Sequence, residues 1–391
     1  MNASDALRPQ MDRIQTRALI VGIVASLICV AGAFSDRSQF FHSYLIGFLF
    51  WLGVALGCAA ILMLHHLVGG GWGLIIRRLL ESGTRTTPLM ALMMVPLLFG
   101  LPQLYSWTHA APVAAGSLFR FRQAYLGVTF FVVRACAYFA VWLVFAYLLN
   151  RWSSQDDRPD GVPVLRRLRA LSGPGIALYC LTATFASIDW VMSLVPEWFS
   201  TAYGLLFIVS EVLTALAFVV AVAMLLVGRE PLSAVVSRQR LLDLGNLILT
   251  FVMLWAYIAF TQFLIIWAGN LPEEISWYRI HIRGGWIAIA VALLLFHFAL
   301  PFLLLLFRNV KGKVRALAAV AVAMLVMRLV DIWWVVAPTF ESRIRVHWMD
   351  VMAPVGIGGI WIAVFVWQLK GRPLLPLNAA ADNLARKPEG V

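Results

Sequence analysis

The stretch SIDWVMSLVPEWFSTAYGLLF, residues 187–207, closes one long apolar run with Asp189 and opens another that contains Glu211. A carboxylate inside such a run is costly unless it is paired, and an unpaired one can take up and release a proton. Other ionisable or strongly polar residues are spread through the remaining runs. Arg134, Asp189, Gln262, Arg328 and Asp331 lie near one end of their runs, Glu211 and His297 near the middle, and His65, His66 and Asp243 near the opposite end. Together they form an incomplete ladder of the kind a proton route across a membrane requires.

Spacing distinguishes the rungs. Arg328 and Asp331 are three apart on one helix and can neutralise each other directly. Arg134 has no acid on its own run, and Asp189, at a similar depth on the next, is the candidate partner. Both pairs read equally as structural ion bridges and as parts of a functional outer polar layer. Glu211 has no basic residue within four positions, and desolvation there favours its neutral form. That combination points to proton handling. His297 alone reads as a packed, hydrogen-bonded histidine or as a relay.

Several chemistries are excluded. Cys29, Cys58, Cys136 and Cys180 are isolated, and no CxxC or CxxCH occurs, which removes thiolate-held clusters and covalent haem. No P-loop, HExxH or nucleophile elbow is present, and no residue is singled out as catalytic. A bis-histidine haem needs two histidines facing each other at one depth. Of the seven histidines only His65, His66 and His297 lie in runs, at different depths. Oxygen-ligand clusters for a metal are lacking too. The expectation is a chain that binds no redox centre of its own.

The elements that must position these residues follow from composition. The chain is 62% hydrophobic and 13% charged, far from the balance of a soluble domain. Ten apolar runs, at 17–34, 43–67, 87–104, 127–149, 170–194, 200–227, 242–268, 284–307, 316–337 and 352–370, are each near the ~20 residues of a membrane helix. The sequence therefore predicts an all-α integral membrane protein, one polytopic domain over 1–391. Residues 43–195 and 200–337 would each form a four-helix bundle, flanked by 17–34 and 352–370. VAGAFSDR after the first run also fits a signal-peptide cleavage site, which leaves the other nine runs unchanged. Loop 151–168 reads as the most mobile connection.

With the N-terminus inside, the inner segments carry 22 Lys and Arg and the outer loops 7. That bias puts both termini in the cytoplasm. It also accounts for the excess of 31 basic over 19 acidic residues without a nucleic-acid partner. Outer loops collect aromatics instead, in YSW (105–107), EWF (197–199), SWY (276–278) and HWM (347–349).

The same residues carry a resemblance. IDWVMSLVPEWFSTAYGLLF (188–207) is similar to the DW-MSL-P-WFST-YG signature of the NrfD-like membrane subunits of alternative complex III, a bacterial quinol:electron-acceptor oxidoreductase. LHHLVGGGWG (64–73), FRQAYLGVTFFVVRACAYFAVW (121–142) and LWAYIAFTQFLIIWAGNLPEE (254–274) resemble further elements of that subunit. The likeness covers most of runs two to eight and is nearest to the second, shorter, ActF-type subunit. Where the family often has histidine between the proline and tryptophan of the signature, this chain has Glu197.

The resemblance implies two four-helix bundles with flanking helices and no cofactor in this chain. It implies a site near quinone or quinol, a proton route, and a bacterial inner-membrane location. The partners implied are a multihaem cytochrome c subunit, an iron–sulfur subunit, a homologous NrfD-like subunit and, in some assemblies, a terminal oxidase. The competing function is a secondary transporter with intramembrane coupling acids. It lacks support from paired interrupted helices in two matching halves.

The charge bias makes orientation testable. In a cysteine-free background, Ser154→Cys should resist a membrane-impermeant thiol reagent in intact cells, and Glu273→Cys should react. The opposite pattern would invert the topology.

Overall fold

The computed structural model describes residues 3–109, 125–156, 164–230 and 232–375, and among them every regular element is helical. The first four residues of the 121–142 motif and residues 157–163 of loop 151–168 lie outside the described residues. We number the principal helices α1 (Ala3–Ala33), α2 (Arg37–Val68), α3 (Gly73–Thr84), α4 (Thr87–Phe99), α5 (Val128–Asp156), α6 (Leu165–Trp190), α7 (Tyr203–Leu226), α8 (Arg238–Gly269) and α9 (Pro272–Ile282). After a kink come α10 (286–306), α11 (Val314–Phe340) and α12 (Trp348–Lys370). Nine helical stretches among the described residues are long and apolar enough to cross a membrane, as expected of a multi-pass membrane protein.

The count differs from ten at the third run. Residues 87–104 form the 13-residue α4, a break at Gly100, and a single turn at Leu101–Leu104. At 1.5 Å per residue α4 reaches about 20 Å, short of the ~30 Å hydrocarbon core. The cause is in the sequence: Pro96 lies inside α4 and Pro102 opens the following turn, and proline removes a backbone donor and crowds the preceding turn.

Helix ends are closed by local chemistry. The Asp36 carboxylate accepts from the Gln39 backbone N–H at 2.9 Å and starts α2. His347 and Asp350 form a reciprocal capping box at the start of α12. Asn270, in the left-handed region at φ 48°, ends α8, and Pro272 then opens α9. Between α9 and α10 the chain turns at Gly284 and Gly285, with φ of 56° and 95°. A Cβ on Gly284 would meet the Ser342 carbonyl oxygen at 2.0 Å. Within α10, residues Leu293–Ala299 widen into a π-helical turn that carries His297; such turns recur at functional sites.

Burial identifies the centre. The apolar stretches of α2 and α7 are 89% and 83% buried, against 17% for α1. Around them, α2 packs with α4 and α6, and α5 joins α4 to α6. In the same way α7 packs with α8 and α11, and α10 joins those two. The two sets meet where α2 crosses α7. There Gly53 and Gly57 present bare backbone to Glu211, and a Cβ on Gly57 would lie 2.2 Å from the Glu211 carbonyl oxygen. Close approach through small residues spaced by four is a recurrent way to pack helices in lipid. On the periphery α1 lies along α12, where a Cβ on Gly22 would reach the Ile360 backbone nitrogen at 2.5 Å.

Candidate functional site

Helix α6 serves as a ruler, because three of its residues touch the three levels of the polar ladder. At one end Asp189, fully buried, takes both arms of the Arg134 guanidinium from α5, Nε and Nη2 each at 2.8 Å. This two-pronged geometry is the strongest form of carboxylate–arginine contact. The Tyr138 hydroxyl donates to the same carboxylate at 2.8 Å. Arg134 donates its remaining arm to the Tyr125 carbonyl at 2.7 Å and lies 3.9 and 4.4 Å from the ring centres of Tyr125 and Phe130, so its cation is also held by aromatic faces. The pair matched by depth in the sequence is therefore in direct contact.

Ten residues earlier on α6, about 15 Å along the axis, the Tyr179 hydroxyl donates to Glu211 at 2.6 Å. Glu211 is 2% exposed and forms no ion pair among the described residues. Tyr179 also lines a small cavity of about 10 Å³ with Trp142, Thr87 and Gly175, room for about one water. Seven residues further, about 10 Å, the Ser172 hydroxyl lies 3.2 Å from His66 Nδ1. His65 stands beside it with its ring 4.9 Å from that of Trp72. Gly73 permits this placement, since a Cβ there would strike the His65 ring at 2.0 Å.

The other set of helices holds the remaining residues. Arg328 and Asp331 pair on α11 as their spacing allows, and Arg328 Nε has no hydrogen-bond partner among the described residues. His297 is fully buried, neither ring nitrogen has a hydrogen-bond partner among the described residues, and its ring centre lies 4.5 Å from that of Trp255 in a T-shaped contact. The expectation of a hydrogen-bonded histidine is thus not met. Gln262 is buried and receives a long contact from Ser200 at 3.4 Å. Asp243 is bonded to Gln239 on its own helix at 2.9 Å. No hydrogen bond or ion pair joins it to His65 or His66 among the described residues. Glu197 is exposed.

Sequence reasoning missed three participants. Tyr138 and Tyr179 bond the two key carboxylates, and nothing in their spacing reveals which helix they face. The third is Glu81. Treated as part of a connection, residues 73–84 instead form a helix with every residue buried. Burial alone would raise the Glu81 pKa, but Arg78 at 2.6 Å and Arg77 at 3.0 Å hold it at about 2. Ser153 from α5 and Arg372 beyond α12 complete the cluster. The run Arg77-Arg78-x-x-Glu81, at intervals of four and three, was the available signal.

What the arrangement can do chemically is limited and specific. It holds charge at one end, a titratable carboxyl with a hydroxyl partner in the middle, and neutral-capable imidazoles at the other end. Among the described residues no three His, Cys, Asp or Glu side chains converge as a metal site would need. Compared with known proteins, the chain matches no protein-family model and no curated protein.

The Arg134–Asp189 contact makes a double-mutant prediction. Asp189→Asn should cut the yield of folded protein, because stranding a buried arginine costs roughly 3–5 kcal/mol. Arg134→Met combined with Asp189→Asn should recover part of it. Equal yields of the single and double variants in fluorescence-detected size exclusion would show that the contact contributes nothing.

Proposed function

We propose that this chain is a membrane subunit of a bacterial respiratory quinol:acceptor oxidoreductase, of the alternative complex III type, in which its buried acids conduct protons. The observation that carries the proposal is Glu211: a carboxyl at the crossing of the two central helices, bonded to a tyrosine hydroxyl and in no ion pair. A purely structural acid at that depth would be expected beside an arginine, as Asp189 and Asp331 are. Tyr179 can donate to the carboxylate or accept from the carboxylic acid, so it accommodates both protonation states.

Further support comes from the packing. The ring of α2, α4, α5 and α6 and the ring of α7, α8, α10 and α11 fit the two four-helix bundles of the NrfD-like architecture, with α1 and α12 as flanking helices. In this proposal both termini face the cytoplasm, so Asp189 lies towards the outer face and His65 and His66 towards the inner one. The multihaem cytochrome c subunit and the iron–sulfur subunit would dock on the outer side, beside the homologous NrfD-like subunit. Quinol chemistry belongs to the assembly, and Arg134, Gln262, Arg328 and Asp331 would form the polar layer nearest to it. The step assigned to this chain is transfer of a proton through Glu211, with water bridging the intervals of about 10–15 Å along α6.

Purification of the native protein in mild detergent should bring with it a multihaem c-type cytochrome and an iron–sulfur protein. In that complex Glu211→Gln keeps the shape and still accepts from Tyr179 but cannot titrate. Assembly and quinol oxidation should persist, with a lowered proton-to-electron ratio in reconstituted vesicles. Wild-type proton translocation by the Gln variant would reduce Glu211 to a packed neutral acid. Isolation of the chain alone, with substrate-driven transport in liposomes, would replace the proposal with the transporter.

A further inference from the structure

We propose that the wedge between α1, α2, α11 and α12 binds one anionic phospholipid, with an acyl chain in the groove and its phosphate on Arg17. The groove has a volume of about 560 Å³, and its walls include Ala18 and Val21 of α1, Phe50 and Trp51 of α2, Leu329 of α11 and Val355 of α12. Arg17 is its one charged wall residue. The inference is independent of the proton route.

Three observations select the occupant. First, the wall has almost no free polar group. The Trp51 indole N–H, the obvious donor, is already given to the Pro354 carbonyl at 2.8 Å. A polar head group buried there would go unsatisfied, whereas an alkyl chain needs no partner. Second, Arg17 is exposed and forms no hydrogen bond or ion pair among the described residues. The nearest acid along α1, Asp12, is bonded instead to Lys370. Arg13, one turn before Arg17, is likewise exposed, so two cations stand at the same end of the groove. Third, Arg17 marks where the apolar part of α1 begins, which is the level of a lipid phosphate. From there the groove follows Ala18 and Val21 towards the membrane interior.

The wedge exists because α1 is held mainly along α12. Gly22 packs so closely on Gly356, Gly359 and Ile360 that any Cβ there would lie 2.5–3.0 Å from their backbone. The two helices meet at this point, and the space beside it, towards α2 and α11, stays open. An empty apolar wedge forfeits dispersion contacts, and its walls give water nothing to bond. An acyl chain fills it, and the guanidinium adds a charge-assisted contact to the phosphate. A second copy of the chain would need a carboxylate to meet Arg17 and a ridge to enter the groove.

The test is native mass spectrometry of the full chain, with any subunits that accompany it, after exchange into mixed phosphatidylglycerol, phosphatidylethanolamine and phosphatidylcholine. One phosphatidylglycerol should be retained in preference to the neutral lipids. Arg17→Gln should lower its retention about tenfold, the loss expected of one charge-assisted contact. Val21→Trp, which fills the groove, should lower retention of any lipid, and Arg229→Gln should change nothing. Both groove positions are exposed at the periphery, so folding is not at stake. Equal retention of the three head groups, unchanged retention in Arg17→Gln, displacement by inorganic phosphate, or a quinone or second chain in place of the lipid would each overturn the proposal.

Discussion

The crossing of α2 over α7 is the contact on which the rest of the structure depends. Gly53 and Gly57 remove two side chains from one helix, and the Glu211 backbone and stem occupy the space they leave. Any larger residue at Gly57 would collide with the Glu211 carbonyl oxygen and push apart the two rings of helices that meet there. The same closeness buries Glu211 almost completely. Packing and the chemistry of the site therefore have one origin: the glycines that allow two backbones to touch also place a carboxyl where water has little access.

Around that crossing, each level of the molecule handles charge differently. Asp189 is satisfied by three donor contacts from Arg134 and Tyr138, and Asp331 by Arg328 one turn away. Glu81 is surrounded by Arg77, Arg78 and Arg372, which outweigh its desolvation. In a low-dielectric interior, removing one member of such a group strands the others, so these clusters are rigid fixtures. Glu211 has a hydroxyl where the other acids have a guanidinium. A hydroxyl can reverse its hydrogen bond when the carboxyl changes charge, and a guanidinium cannot. That difference sets Glu211 apart from the fixed charges and is what the proposed proton transfer would use.

Much of this was legible in the residues. Long apolar runs located the helices, and the three-residue interval predicted the Arg328–Asp331 pair. Matching depth on adjacent helices predicted Arg134 with Asp189. The break in the third run was also written there, as Pro96, Gly100 and Pro102, but run length alone does not register it. Other features depend on tertiary contact. Tyr179 and Tyr138 become partners of carboxylates only when α5, α6 and α7 are set at their observed rotations. The burial of α3 depends on helices that cover it from several sides. The π-helical turn at His297 has its marker in Pro301, which has no N–H to give the carbonyl four residues before it, but run length alone does not register that either. Asp243, matched to His65 and His66 by depth alone, has its observed bond to Gln239 on its own helix.

The central claim is that Glu211 exchanges a proton inside the membrane while the neighbouring ion pairs keep their charge. Infrared difference spectroscopy of the membrane-reconstituted protein across a pH titration tests it most directly. The account predicts a carboxyl C=O band that grows and fades with pH, shifts in deuterium oxide and disappears in Glu211→Gln. Tyr179→Phe should alter the same band, because it removes the hydroxyl that bonds the carboxyl. A titrating carboxyl spectrum identical in wild type and Glu211→Gln would contradict the account.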